Sequence, residues 1–156
     1  MKRHVQLQPL SRQHHNGLLV ALLVLKGLQR NAQPSVIAGF ILHNWDNELA
    51  EHFQQEEEVL IPAVEGKFLD DKLTQQLLHE HQQIRSVITK IQQDAYTKEE
   101  LNTFAELLEK HIRFEERMYF PLVEKLLTDE ELISVGAQLH DEKQFNCINY
   151  PVKFWE

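Results

Sequence analysis

Two stretches of this chain carry the same order of chemically useful residues. "HFQQEEEVLIPAVE" begins at His52 and "HIRFEERMYFPLVE" begins at His111, fifty-nine residues later. They agree at His52/His111, Glu56/Glu115, Glu57/Glu116, Pro62/Pro121, Val64/Val123 and Glu65/Glu124. A histidine followed four residues on by an acid, on a helix, stacks imidazole and carboxylate on one face, because four residues turn the chain by about 400°. Both pairs are in phase with apolar stripes, Phe53/Leu60 in one and Leu101/Phe104/Leu108 in the other, so they are expected to point inward. An ionised carboxylate buried without a partner costs several kcal/mol or gives up its charge. Two such acids facing a set of histidines call for a cation.

The apolar residues recur at threes and fours along the chain, and Gly and Pro mark the gaps. A first helix is expected from about Ser11, as N-cap, to Leu28, and a second from Pro34 through the His52 stretch. A third, capped by Asp70 or Asp71, carries Leu73, Leu77, His81, Ile84, Ile88 and Ile91. "TKEE" from Thr97 is a capping box opening a fourth, whose inner face reads Leu101, Phe104, Leu108, His111, Glu115, Met118, Leu122. "TDEE" from Thr128 opens a short fifth helix ending near His140, and the apolar tail "CINYPVKFWE" is expected to lie over the bundle or meet another subunit. Pro62 and Pro121 are expected to bend or end their helices. The fold class is therefore all-α: an antiparallel up-down four-helix bundle forming one domain over residues 1–156. Its core spans about 10–127, with a short helix at about 129–140 and a tail at 141–156.

In each half, a helix with one inward histidine precedes a helix with the His/Glu pair. His81 shares a face with Leu77, Ile84 and Ile88, which leaves His79 on the solvent side. On the first helix the choice lies between His14 and His15; aligning it on the third favours His15, since His14 would put Gly17 where Ile84 stands. The expected metal ligands are thus His15, His52, Glu56, His81, His111 and Glu115, with His14 and Glu116 as the alternatives to His15 and Glu115. Four imidazoles as terminal ligands, two to each metal, and two bridging glutamates describe a di-metal centre with a place left for a small ligand. Nitrogen and carboxylate donors without a thiolate suit two iron ions first, with manganese or zinc as substitutes. The ferritin-type Glu-x-x-His pattern is absent, because no histidine has a glutamate three residues before it.

"LSRQHHNGL", "HFQQEE", "HEHQQI" and "HIRFEERMYFP" together give the chain a resemblance to the hemerythrin-like proteins, the HHE cation-binding domains. The resemblance implies a four-helix bundle holding a non-haem di-iron site that binds oxygen, nitric oxide or another small oxidant. The family's oxygen carriers place His-x-x-x-His on the third helix, whereas here Arg85 stands four after His81. That departure is similar to members with four histidines and two glutamates, associated with sensing, iron handling or repair of iron centres. An enzyme reducing oxygen, peroxide or nitric oxide, and a metal-stabilised interaction module, are the other expectations.

Composition narrows the partners. A net charge of -8 without a basic cluster argues against nucleic acid. The longest apolar run, Leu18 to Leu25, is too short for a membrane span. One cysteine, Cys147, excludes an internal disulfide and fits a cytoplasmic setting. These 156 residues carry neither a Gly-rich dinucleotide loop nor an output region, so any signal is expected to pass to a protein partner.

Overall fold

A computed structural model describes residues 2–67, 71–139 and 145–156, and among these the secondary structure is helical, with no strand. Five helices are used below. α1 is Gln8–Gln29, entered through a 3₁₀ turn at Val5–Leu7. α2 runs through residues 34–64, α3 is Lys72–Gln92, α4 runs through residues 98–126 and α5 is Asp129–Gln138.

Local chemistry accounts for most boundaries. Both expected capping boxes form, Thr97 with Glu100 and Thr128 with Glu131, each satisfying two backbone donors reciprocally. Pro34 opens α2 at a position whose N–H would be unbonded anyway. α1 and α3 end alike: Asn31 and Asp94 take the left-handed conformation, at φ 58° and 57°, and Ala32 and Ala95 donate back to the carbonyls of Gly27 and Lys90. α1, however, starts earlier than its expected cap. Pro9 sits in its first turn, and the Ser11 hydroxyl donates instead to Glu116 at 2.7 Å. Asp71 stands at the N-cap of α3 without a side-chain capping bond, its carboxylate accepting instead from the Gln75 side chain at 2.8 Å, and Asp70 and His140 lie outside the described residues.

The bundle is antiparallel. Gln13, early in α1, bonds His52, late in α2, while Gly27 near the end of α1 lies against Ile37 near the start of α2. In the second half, Thr74 meets Tyr119 and Lys90 meets Glu100, again early against late. Arg3 closes the ring on Glu116 and Glu124 of α4.

Two apolar clusters fill the interior. One includes Val24, Phe40, Phe53, Ile88 and Phe104; the other includes Leu10, Leu60, Leu77, Phe120 and Val123. Residues 145–156 extend the first, with Phe40 receiving Tyr150, Phe154 and Trp155 at ring separations of 5.2, 5.0 and 5.6 Å. Cys147 is fully buried, and its N–H donates to Asn16. The tail thus lies over the bundle.

Neither α2 nor α4 is a plain α-helix. Each has a five-residue π-turn beginning at the acid, Glu56–Leu60 and Glu115–Tyr119, and α2 has another at Trp45–Leu49. The two repeated turns stand just before Pro62 and Pro121, and the helix resumes through both prolines, as Ile61–Val64 and Phe120–Leu126. Of the two expected outcomes, bending or ending, these prolines do not end their helices. A proline cannot accept the ordinary turn of backbone behind it, and the wider turn upstream makes room. The extra residue also advances the stripe: Tyr119 and Val123 are buried, while Met118, expected inside, is 52% exposed.

Gly27 leaves the space that Phe154 fills, since a Cβ there would stand 2.5 Å from Phe154 Cδ2. Gly27→Leu should therefore unseat residues 145–156, lowering unfolding free energy by roughly 1–3 kcal/mol and speeding proteolytic loss of the tail. An unchanged denaturation midpoint would show that this seat contributes nothing.

Candidate metal centre

Between the two apolar clusters lies a polar layer. His14, His52, Glu56, His81, His111 and Glu115 are all buried, both glutamates completely. They form two overlapping groups, His14/His52/Glu56/Glu115 and His81/His111/Glu56/Glu115, whose ligand atoms lie within 4.8 Å of one another.

The geometry of the carboxylates is that of two bridges. Glu56 turns Oε2 toward His52 Nε2 at 3.3 Å and His14 Nε2 at 3.8 Å, and Oε1 toward His81 Nε2 at 3.1 Å. Glu115 turns Oε1 toward His14 Nε2 at 2.7 Å, and Oε2 toward His111 Nε2 at 3.3 Å and His81 Nε2 at 4.0 Å. Each acid therefore gives one oxygen to each histidine pair. The histidines are oriented to match, because every Nδ1 faces away from the layer and has its own partner. His14 Nδ1 meets Glu116 at 2.6 Å, His52 Nδ1 meets Gln13 Oε1 at 2.6 Å, His81 Nδ1 meets Glu57 at 2.6 Å and His111 Nδ1 meets Glu80 at 2.7 Å. With Nδ1–H donating outward, the Nε2 lone pairs converge inward.

These residues fit a pair of cations. His52 Nε2, Glu56 Oε2, His111 Nε2 and Glu115 Oε2 are buried and have no hydrogen-bond partner among the described residues. At 3.3 Å the two His/Glu pairs are close but lack hydrogen-bond alignment. Four unsatisfied donors of electron pairs, facing one another in an apolar bundle, are what positive ions would satisfy.

Of the six expected ligands, the structure brings together His52, Glu56, His81, His111 and Glu115. His15 is not among them: it is exposed on the far side of α1, in a surface groove with Leu18, Leu22 and Leu25 beside Glu109 and Arg113 of α4. His14 stands in the layer instead. The difference from the expectation arises at Gly17, where an added Cβ would meet Ile112 Cδ1 at 2.7 Å. Position 17 faces the core like Ile84, and lacks a side chain because α1 runs close to α4 there. Glu116 is not in the layer, and neither is Glu57. Each accepts from a histidine and from an arginine, Arg3 on Glu116 and Arg85 on Glu57. Arg85, standing where a fifth histidine would be sought, thus holds an outer carboxylate. Gln13 and Glu80 went unnoticed in the sequence; the one available signal was that each directly precedes an inward histidine.

Aromatic rings wall the layer. Phe53 stacks on His81 at 3.9 Å, and Phe120 on His14 at 5.1 Å. Trp45 is buried edge-to-face on Phe53. Tyr119, one turn past Glu115, is bonded to Thr74, and burial together with the charges of Glu115 and Glu56 pushes its hydroxyl up to about 12.

Without metal, protons do the compensating. Burial opposes charge on His14, but its bonds to Glu115 and Glu116 outweigh this and raise it to about 9. Burial likewise opposes charge on His111, which Glu115 and Glu80 raise to about 10. Burial favours a neutral Glu56, yet the charges of His52 and His81 and the bond to His81 hold it well below the usual carboxylate range.

The model of the Hemerythrin HHE cation binding domain matches residues 9–123. An uncharacterized hemerythrin-like protein of Schizosaccharomyces pombe is 31% identical over 112 residues, covering 65% of this chain and 55% of that protein. The chain thus spans about half the length of the curated relative it matches. No solved structure matches at a significant level. Among the described residues no helix is long and apolar enough to cross a membrane.

Two outcomes follow from this geometry. His14→Ala should lower the metal bound per chain while His15→Ala leaves it unchanged, as read by elemental analysis of both variants; equal loss in the two would restore His15 as a ligand. Protonation of His14 and His111 persists up to about pH 9 and 10, so cations must displace those protons, and affinity should rise with pH across the neutral range. A metal titration at pH 7 in weak buffer should release protons, and a silent pH electrode would contradict that pairing.

Proposed function

Because the chain belongs to the hemerythrin HHE cation-binding domain family, we propose that its buried layer holds two iron ions and that the protein binds or reacts with a small diatomic ligand, oxygen or nitric oxide. The role that suits this is sensing, storage, or response to oxidative or nitrosative stress. The observation that carries the reading is the pair of fully buried glutamates, each offering one oxygen to either histidine pair.

Under this reading His14 and His52 serve one ion, His81 and His111 the other, and Glu56 and Glu115 both. Two imidazoles and two carboxylate oxygens would hold each ion and would leave room for a small ligand. When bound, the iron pair supplies electron transfer and an open position for a diatomic ligand. Nitrogen and oxygen donors without thiolate favour iron, with manganese or zinc as substitutes. Cys147 is committed elsewhere, beside Asn16.

The chain's own residues do the rest. Glu116, Gln13, Glu57 and Glu80 fix the imidazole rings in the Nε2-inward orientation before any ion arrives. Phe53, Phe120 and the two apolar clusters keep bulk water from the carboxylates. Tyr119 keeps its proton at neutral pH, on an oxygen tied to Thr74.

Purified protein should contain about two irons per chain, by the two groups of donors that share Glu56 and Glu115. Its absorption spectrum in the oxidised state should shift on adding azide. Glu56→Ala and Glu115→Ala should each abolish that shift. Protein that binds no metal, keeps its helix in chelator and cannot be reconstituted with ferrous iron would end this reading.

A further inference from the structure

The duplication that builds the metal layer repeats its outer partners and then breaks at one of them. His14 and His81 hold matching places in α1 and α3, and each is preceded by a residue that takes the Nδ1–H of a histidine on the neighbouring helix. Those residues are Gln13, at 2.6 Å from His52, and Glu80, at 2.7 Å from His111. The remaining partners match closely. Glu116 on His14 and Glu57 on His81 both stand at 2.6 Å, and each carboxylate also carries an arginine, Arg3 or Arg85. The His81/His111 pair is therefore backed by two carboxylates, and the His14/His52 pair by one carboxylate and one neutral amide.

Gln13 and Glu80 have nearly the same shape and are equally buried, at 8% and 9% exposure. They differ in charge, and the second oxygen of Glu80 also accepts from Gln76 at 3.0 Å. An amide oxygen and a carboxylate orient the ring alike, but the carboxylate makes the opposite nitrogen a stronger donor and adds a negative charge close to the cation. Resting on the metal pair proposed above, we infer that the two metal positions are inequivalent. The His81/His111 position, with Glu80 as its positioning residue, binds more tightly and fills first. The His14/His52 position, oriented by neutral Gln13, fills second and releases its ion first. One ion is retained and the other is exchangeable.

Outer partners of this kind are worth roughly 10- to 100-fold in metal affinity. Two cations sharing Glu56 and Glu115 also repel each other, so a gap between two binding steps does not by itself identify its cause. The order of filling, and its dependence on these two residues, does.

The test is a titration of metal-free protein with zinc alone, following the ring ¹⁵N resonances of the histidines. The first equivalent should move His81 and His111, and the second His14 and His52. Glu80→Gln should narrow the gap between the steps by about 10-fold or more and erase the order. Gln13→Glu should narrow the gap from the other side, which keeps the test available if the first variant folds poorly. The exchange variant, Gln13→Glu with Glu80→Gln, should reverse the order. Both pairs moving together at one equivalent, or an order that survives the exchange, would overturn the inference while two bound zinc ions left the metal reading standing. No ring shift with zinc or with ferrous iron would bring down both.

Discussion

Two carboxylates sit at the centre of a helical bundle with no exposure to water, and the rest of the molecule is arranged around that fact. Charge so placed must be neutralised by something equally buried. Four imidazoles face Glu56 and Glu115, four outer groups hold those imidazoles in one orientation, and two arginines anchor two of the outer groups. The arrangement runs from Arg3 near the N-terminus to Glu124 in α4, so all four long helices are tied to it. Apolar packing above and below the layer supplies the bulk of the burial, but packing alone would not specify which rings turn inward.

The layer also shapes the helices that carry it. Both π-turns begin at a central glutamate and precede a proline. Beyond each acid, Leu60 and Tyr119 are completely buried, and in α4 the wider turn leaves Met118 outside. Such local widening is common where a helix must aim a functional side chain, and here it occurs twice at equivalent places. Trp45–Leu49 has no counterpart in α4, so the duplication is approximate in backbone as it is at Gln13 and Glu80.

Much of this was legible in order of residues. The stripe Leu101, Phe104, Leu108, His111, Glu115 is buried as its period demands, as are Leu77, His81, Ile84 and Ile88. His79 is exposed, as its position two residues from His81 requires. Both capping boxes form because their bonds are local. Legibility failed where a neighbouring helix decided the outcome. His14 and His15 are adjacent, nearly every residue after them is apolar, and only the close approach of α1 to Ile112 distinguishes one face from the other. Met118 was read as core because the α-helical period was carried across a turn that is not α-helical. Ser11 is an excellent cap by residue type, yet its hydroxyl found Glu116 across the bundle.

The amino-acid order by itself determined the helices, their antiparallel pairing, the inward direction of His52, Glu56, His81, His111 and Glu115, and the resemblance to a cation-binding family. These depend on periodicity and on residues within one or two turns of each other. Tertiary structure alone decided that His14 joins them and that each glutamate spans both histidine pairs. It also decided that Glu57, Glu116, Glu80 and Gln13 stand behind the rings. Those are contacts between side chains far apart in the chain, set by how closely and at what rotation the helices pack, and no local period encodes a rotation between two helices.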